Sequence, residues 1–505
     1  MTFSPKIQIV VALVCFFALF AAGCATERAA RKAPDIIMHS EANDERVGGL
    51  ASLHVPRELG IVDDPHLAAY VSAVGKRIAR HSPRGRYRYQ FQVVDQEAPN
   101  AFALPGGYVY VSRGMLLLAN SEDELAGILG HEIGHVASRH TAARQAMTKR
   151  LGPLQFMANG SIEAYGRDQE RESDRLGQSL AGRAGYDPQG LSRLLKSLEF
   201  QERLQFGASR LPSFHDTHPV TSERVATLSS HSFTVPWTRA PAIAGDRAGY
   251  LARIDGLVVG TGAHQGVFEG ELFRHPDLDF SIRFPSGWQT GNTREVVGAW
   301  SPRRDAVVLV EQQGAGNDPE RGAIEFLAQE RAQGLRVGKL ERVRLRELSA
   351  VRATGRGRAT PALLGWAPST VAVQLTWVAH AGSIYRITGM SRSTAPFEGN
   401  VGEVVHRIAD TLRDHGPFDG TFRSVARSFR ALRPEEHRSI QETRLHIATA
   451  RPGESLQELS RRTRNTWDLQ QTAVMNGIFT TDRLEAGQLV KVAVLKDYAA
   501  VEPAD

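Results

Sequence analysis

Ser121-Glu122-Asp123-Glu124-Leu125-Ala126-Gly127-Ile128-Leu129-Gly130-His131-Glu132-Ile133-Gly134-His135 is the most informative stretch of the chain. Ser121 with Glu124 three residues later has the form of a capping box. Three carboxylates in the first turn suit the positive end of a helix dipole, and Leu125, Ile128 and Leu129 are apolar at helical spacing. A helix is therefore predicted, and it carries H-E-x-x-H. His131 and His135 lie one turn apart and point the same way, which suits two imidazoles on one metal ion. Glu132 is rotated from His131 by about 100°. That places it beside the metal rather than on it, where it can take a proton from a water that zinc activates.

Two histidines and a catalytic glutamate leave one protein ligand to find. A metzincin would continue with a glycine three residues after the second histidine and a histidine three beyond that; Ser138 and Thr141 stand there instead. His140 falls on another part of the helix turn, around the site or at the surface. A gluzincin takes a glutamate from a later helix, and Arg167-Asp168-Gln169-Glu170-Arg171-Glu172-Ser173-Asp174-Arg175-Leu176-Gly177 supplies one. Glu170 and Asp174 are four apart on one helical face. Glu170 is the candidate ligand, and Asp174 can bond a ligand histidine and fix its tautomer. Glu172 and Glu163 are rivals, but neither has an acidic residue four later.

With these motifs in view, residues from about Glu45 to Ser232 resemble the zinc peptidase family of the CAAX prenyl endopeptidases and the HtpX heat-shock protease, in particular its soluble, BepA-like periplasmic lipoprotein branch. Two further motifs carry the resemblance. In Asn100-Ala101-Phe102-Ala103-Leu104-Pro105-Gly106-Gly107-Tyr108-Val109-Tyr110-Val111, Gly106-Gly107 reads as a turn and Tyr108–Ser112 as an alternating strand. The resemblance implies that this strand edges a substrate cleft, with Asn100, Gly106, Gly107 and Tyr108 around it, where an extended peptide can pair by β-addition. In Thr217-His218-Pro219, followed by Arg224, it implies that His218 lies near the zinc and occupies its open position at rest, and that Arg224 lines the cleft. The chain lacks the several membrane helices of other members, so prenylated substrates are not implied.

The N-terminus reads as an export signal. Lys6 precedes an apolar run from Ile9 to Ala22, short of the roughly 20 residues of a membrane span. Ala21-Ala22-Gly23-Cys24 resembles the bacterial lipobox, which implies cleavage before Cys24 and its acylation; two or three acyl chains anchor stably. Cys15 would be discarded, leaving Cys24 alone and no internal disulfide. Ala25 rather than Asp after Cys24 resembles outer-membrane sorting.

The 505 residues are 42% hydrophobic and 23% charged, too long for one ordinary domain and of globular composition. The net charge of +6 comes from 61 basic and 55 acidic residues spread along the chain, without a basic block. That reads as a mixed solvated surface, with no nucleic-acid partner. The expected organisation is a signal peptide (1–23), a tether (24–44), a mainly α zincin-type metalloprotease domain with a small edge β-sheet (45–235), a linker (236–250), an α+β domain (251–418), a second linker (419–442) and a small β-α-α-β module (443–494). In the α+β domain, helices are expected around Ala323–Gln333 and Val401–Arg413, and Trp288, Trp300 and Trp366 read as core. The last module resembles LysM through Leu445-His446-Ile447, Pro452-Gly453-Glu454-Ser455-Leu456, Leu459, Asn476 and Leu484–Val492; that implies binding to peptidoglycan.

These features point to a lipid-anchored zinc endopeptidase on the periplasmic face of the outer membrane, with one zinc ion and cell-envelope polypeptides as substrates. A chaperone-like or peptidoglycan-binding scaffold with a latent zinc site, and a zinc hydrolase of peptidoglycan cross-links, are the competing readings.

Overall fold

A computed structural model describes residues 40–142, 166–204, 213–330, 335–359, 369–392 and 418–499. The signal peptide with Cys24, Glu163, Trp366 and the helix expected at Val401–Arg413 lie outside these residues. The architecture is multidomain, a helical peptidase-like region and a sheet-rich part. The chain divides into two units: one contains the described residues up to Thr261 together with Glu442–Lys496, the other Gly262–Gln441 and the described residues from Asp497 on. Gly262–Gln441 is thus an insertion in the sequence of the first.

The first unit opens with α1 (Glu41–Ser52) and α2 (Pro65–Ala79), whose N-cap Asp64 accepts from the His66 and Leu67 amides. Strands β1 (Gln90–Val94), β2 (Ala101–Leu104) and β3 (Tyr108–Ser112) form a sheet of order β1-β3-β2. Gly106 and Gly107 turn the chain between β2 and β3 with φ of +81° and +97°, values that favour glycine. β3 pairs with β1 in parallel and with β2 antiparallel. The strand expected to edge the cleft is therefore central, and β2 is at the edge. The turn packs closely on α1: a Cβ on Gly106 would lie 2.5 Å from the Glu45 Cα.

α3 (Arg113–Leu118) leads into α4 (Glu122–Ala137), which carries H-E-x-x-H. Ser121 caps α4 by accepting from the Glu124 amide at 3.2 Å. The reciprocal half of the box is shifted by one residue: Glu124 accepts from the Asn120 amide, not from Ser121. α4 is buried on nearly every side. Glycine makes this possible, because Cβ atoms on Gly130 and Gly134 would stand 2.8 Å from the Gly177 carbonyl and 2.9 Å from that of Ser173. Both belong to α5 (Arg167–Arg183), so the two backbones touch. α6 (Gly190–Leu204), α7 (Ser222–Ser232) and α8 (Arg247–Ile254) complete the helical part.

The segment 236–250, expected as a linker, is built into this unit. Glu122 accepts from the Ile243 and Ala244 amides at 2.8 and 2.5 Å, and Tyr250 in α8, fully buried, donates to the Leu116 carbonyl at 2.9 Å.

In the inserted unit, β4 (Val267–Glu269), β5 (Leu272–His275), β6 (Phe280–Arg283), β7 (Gln289–Asn292), β8 (Val296–Trp300) and β9 (Ala306–Ala315) precede α9 (Pro319–Glu330). Strands β10 (Arg336–Val337), β11 (Glu341–Leu345), β12 (Leu348–Ala359), β13 (Ser369–His380) and β14 (Ser383–Arg392) follow, then α10 (Asp419–Ser428) and β15 (Arg430–Ala431). One sheet runs β10-β12-β13-β14-β9-β8-β7 with β11 on β12, the other β15-β6-β5-β4. Trp300 lies in its core, and Trp288 packs edge-on against Phe418. Residues 419–442 are not a free linker: α10 sets Phe422 and Val425 into the same core as Phe280 and Tyr385.

The chain then returns to the first unit as β16 (Gln441–Thr449), α11 (Leu456–Thr463), α12 (Leu469–Asn476) and β17 (Leu489–Asp497), a β-α-α-β order with β16 paired to β17. It packs directly on the helical part: Leu445 and Met475 join the core that holds Leu125, Ile128 and Leu129 of α4. Lys491 is completely buried, and its Nζ donates to the carbonyls of Leu117, Leu118 and Ala119 at 2.7, 3.2 and 3.0 Å. Those carbonyls end α3, where a cation is favoured. Burial pushes the Lys491 amine down to about 7, against the nearby charge of Glu124.

Two substitutions test this packing. Lys491→Met removes the buried donor to the Leu117, Leu118 and Ala119 carbonyls and one of the cations near Glu124; urea denaturation is expected to show a loss of about 3 kcal/mol, whereas an unchanged midpoint would separate the C-terminal module from the first unit. Gly130→Ala forces α4 and α5 apart, with an expected cost of about 1–3 kcal/mol and weakened metal binding by the donors on the two helices.

Candidate metal centre

The backbone contact between α4 and α5 determines which side chains meet. On α4, His131 and His135 face α5; on α5, Glu170 and Asp174 face back. The one-turn helix Phe214–Thr217 brings in His218, anchored where the Phe214 amide donates to the Pro99 carbonyl at 2.9 Å. The Phe214 ring stacks on His218 with centroids 4.3 Å apart and planes 10° from parallel.

His131, His135, Glu170 and His218, all buried, each offer one donor atom within 4.8 Å of the others. His131 Nε2 lies 3.0 Å from His135 Nε2 and 3.2 Å from His218 Nδ1. Glu170 Oε1 lies 3.2 Å from His135 Nε2 and 2.8 Å from His218 Nδ1. These separations bracket the edge of a tetrahedron whose centre is about 2.0–2.1 Å from each corner, roughly 3.3 Å. The donor chemistry agrees. Three imidazole nitrogens and a carboxylate oxygen converge in a buried space, where three acidic side chains, Glu132, Glu170 and Asp174, share one guanidinium. A divalent cation would satisfy both conditions.

Arg224 is that guanidinium. Expected around the site and along its cleft, it binds both acidic residues of α5. Nε and Nη2 donate to Asp174 at 2.8 and 2.7 Å, Nη1 lies 2.6 Å from Glu170 Oε2, and Nη1 also donates to the Pro219 carbonyl at 3.2 Å. Asp174 in turn stands 2.9 Å from His131 Nδ1. Glu132 is buried at the same centre, with Oε1 3.7 Å from His218 Nε2.

The protonation states follow from burial and charge. Burial opposes ionisation of Glu170, but His218, His135 and His131 overcome it and hold its carboxyl well below the usual range. Asp174 is lowered against burial by Arg224 and His131. Burial lowers His135 strongly and takes His218 to about 4. These are the states that ligation requires, a carboxylate and neutral imidazoles. His131 departs from the pattern: burial lowers it, but Asp174 and Glu170 leave it raised.

The structure thus brings His131, Glu132, His135, Glu170, Asp174, His218 and Arg224 together. It leaves Gly106, Gly107 and Tyr108 at the hairpin beside α1. Asn100, just before β2, donates from Nδ2 to Gln96 Oε1 at 3.1 Å and from its backbone amide to Ser112 Oγ at 2.8 Å. Glu172 faces away from the donor atoms, bonded by Ser138 Oγ at 2.7 Å. His140, expected around the site or at the surface, touches His135: the two Nδ1 atoms are 3.2 Å apart.

Such a donor set on an H-E-x-x-H helix defines a metallopeptidase-type centre. The model of peptidase family M48 matches residues 65–161 and 143–232, about a third of the chain. Over 175 residues it is 33% identical to the mitochondrial metalloendopeptidase OMA1 of Schizosaccharomyces pombe, covering 32% of this chain and 51% of that protein. It is 29% identical over 192 residues to the beta-barrel assembly-enhancing proteases of Yersinia pestis and Escherichia coli K12, covering 33% of this chain and 39% of each. The matched region thus spans about half or less of these relatives. Among solved structures, the Ran-binding protein Mog1p of Saccharomyces cerevisiae aligns with 30% of this chain and 90% of its own at 12% identity, with a TM-score of 0.21, too low to define a common fold.

Arg224→Leu would strand Glu170 and Asp174 as an uncompensated buried pair. An expected loss of about 3–5 kcal/mol is measurable by denaturation of the metal-free chain; a loss within experimental scatter would remove Arg224 from the centre's electrostatics.

Proposed function

We propose that this chain is a zinc-dependent endopeptidase that cleaves polypeptides of the bacterial cell envelope. The observation that carries the proposal is the convergence of His131, His135 and Glu170 with Glu132 beside them, inside the region that the family M48 model matches. His131, His135 and Glu170 would hold one zinc ion, and zinc bound there supplies Lewis acidity for water and for the scissile carbonyl. Glu132 takes the proton of the attacking water and returns it to the leaving amine. Asp174 holds the proton on His131 Nδ1, so that Nε2 presents its lone pair. Arg224 keeps both acidic residues ionised and fixed. The edge strand β2, unpaired on its far side among the described residues, is where an extended peptide would add; Asn100, just before it, would contact that peptide.

His218 stands where a fourth donor would, so the described state is closed, and access needs the segment around His218 to withdraw. That observation also favours a second reading, a chaperone-like or scaffolding role with the peptidase held latent. Acylation at Cys24 would anchor the chain on the periplasmic face of the outer membrane. The C-terminal β-α-α-β segment is proposed as a LysM-like module that meets peptidoglycan.

The test is zinc content and casein turnover of the chain from Ala25, beside two variants. Glu132→Gln is expected to keep zinc and lower turnover by about 10²–10⁴-fold, and chelator should abolish turnover in the parent. His218→Ala should raise turnover if His218 closes the site. Absence of zinc from the parent, or equal turnover with Gln at position 132, would overturn the peptidase reading. Zinc with no turnover in any form would favour the latent scaffold.

A further inference from the structure

We propose that His140 is a positioning residue for His135, fixing its tautomer through a hydrogen-bonded path that ends at Glu172 on the surface. The assignment rests on the reading of His135 as a metal ligand. The two ligand histidines of α4 are supported differently. His131 has a carboxylate behind it, with Asp174 Oδ1 2.9 Å from its Nδ1. His135 has an imidazole there, with His140 Nδ1 3.2 Å from its own Nδ1.

The proton placement follows from the atoms. His135 Nε2 faces His131 Nε2 and Glu170 Oε1, at 3.0 and 3.2 Å. A lone pair given to the metal from Nε2 puts the ring's single proton on Nδ1. His140 Nδ1 must then accept, which places the His140 proton on Nε2. That nitrogen faces Glu172 Oε2 at 3.4 Å, an exposed carboxylate that also accepts from Ser138 Oγ at 2.7 Å. Ser173 Oγ also lies 3.2 Å from His140 Nδ1. Donor and acceptor therefore alternate from the buried centre to the surface carboxylate.

The fold holds this path in place. α4 ends at Ala137, and Arg139 takes φ of +60°. That left-handed residue turns the chain back, so that His140 meets His135, which a continuing helix would not allow: five residues advance it by about 500°, well off the His135 face. Left-handed conformation is costly for arginine. It is clamped by Asp44 of α1, which accepts from Arg139 Nε and Nη2 at 2.9 and 3.0 Å and from Tyr87 Oη at 2.9 Å. A neutral imidazole also orients a ligand without adding charge, so His135 is less basic, and less tightly held, than His131 with its carboxylate.

The test uses the full mature chain with zinc alone and cobalt alone as probes, in chelator competition and visible absorption. His140→Leu removes the acceptor; His140→Asn restores one, with Oδ1 in the place of Nδ1. Leu is expected to raise the zinc Kd by about 10–100-fold and to shift the cobalt bands, and Asn to recover most of both. Glu172→Gln, at the exposed end, should loosen zinc by less than about tenfold without disturbing the fold. Zinc binding and cobalt bands unchanged in His140→Leu, or equal losses in Leu and Asn, would overturn the assignment alone. A parent that binds no zinc would overturn the metallopeptidase reading and the assignment with it.

Discussion

The centre depends on two helices approaching until their backbones touch. Gly130 and Gly134 on α4 meet the Gly177 and Ser173 carbonyls of α5, closer than any side chain at those four sites would permit except the serine that turns aside. Only at that spacing can residues on facing helices put imidazole and carboxylate atoms within about 3 Å of one another. The contact has an electrostatic price. Glu170 and Asp174 on α5 come together with Glu132 on α4, in a volume where unpaired charge is strongly disfavoured. Arg224 offsets part of that charge with bonds to both α5 carboxylates, and the donor set supplies a place for a cation to offset the rest.

The far end of α4 is fixed by the same economy of charge. Its three N-terminal carboxylates each reach a different part of the chain. Glu122 takes the Tyr70 hydroxyl and the amides of Ile243 and Ala244. Asp123 takes the Asp187 amide and Arg239. Glu124 takes the Asn120 amide and feels the charge of Lys491. Carboxylates at a helix N-terminus are favoured by the dipole in any case; here they also tie down segments remote in sequence. The helix that presents the histidines is thereby held at its start by these carboxylates and at its end by the clamp on Arg139.

What the sequence made legible was local. The serine cap, the one-turn spacing of His131 and His135 and the four-residue spacing of Glu170 and Asp174 depend only on helical geometry, and the structure has helices there. What it hid was non-local. Nothing in Tyr108–Ser112 says whether a strand is central or at an edge, because pairing partners lie elsewhere in the chain. Pro, Ala and Gly between 236 and 246 look like a linker by composition, yet Glu122, far upstream, consumes the backbone amides that would otherwise need water. The sequence left His140 either around the site or at the surface, because the turn that decides it, the positive φ of Arg139, leaves no mark in the residue types. Lys491 lies in the stretch that resembles LysM, and its burial follows only from the α3 carbonyls it meets.

The insertion of one unit within the other follows from how the first unit is closed. The Val259 amide donates to the Thr443 carbonyl at 2.7 Å, Gly256 to Leu445 at 3.0 Å, and Leu445 back to Leu257 at 2.8 Å. The two points where the chain leaves and re-enters are thus joined by backbone hydrogen bonds. An intervening segment costs closure entropy that grows only logarithmically with its length, and one with its own cores, as Gly262–Gln441 has, presents its ends already ordered. The burial of Lys491, Leu445 and Met475 against the first unit then supplies favourable free energy that a free tail could not. The C-terminal segment is therefore part of the structure that holds the start of α4, and the position of the H-E-x-x-H histidines depends on residues more than three hundred positions downstream.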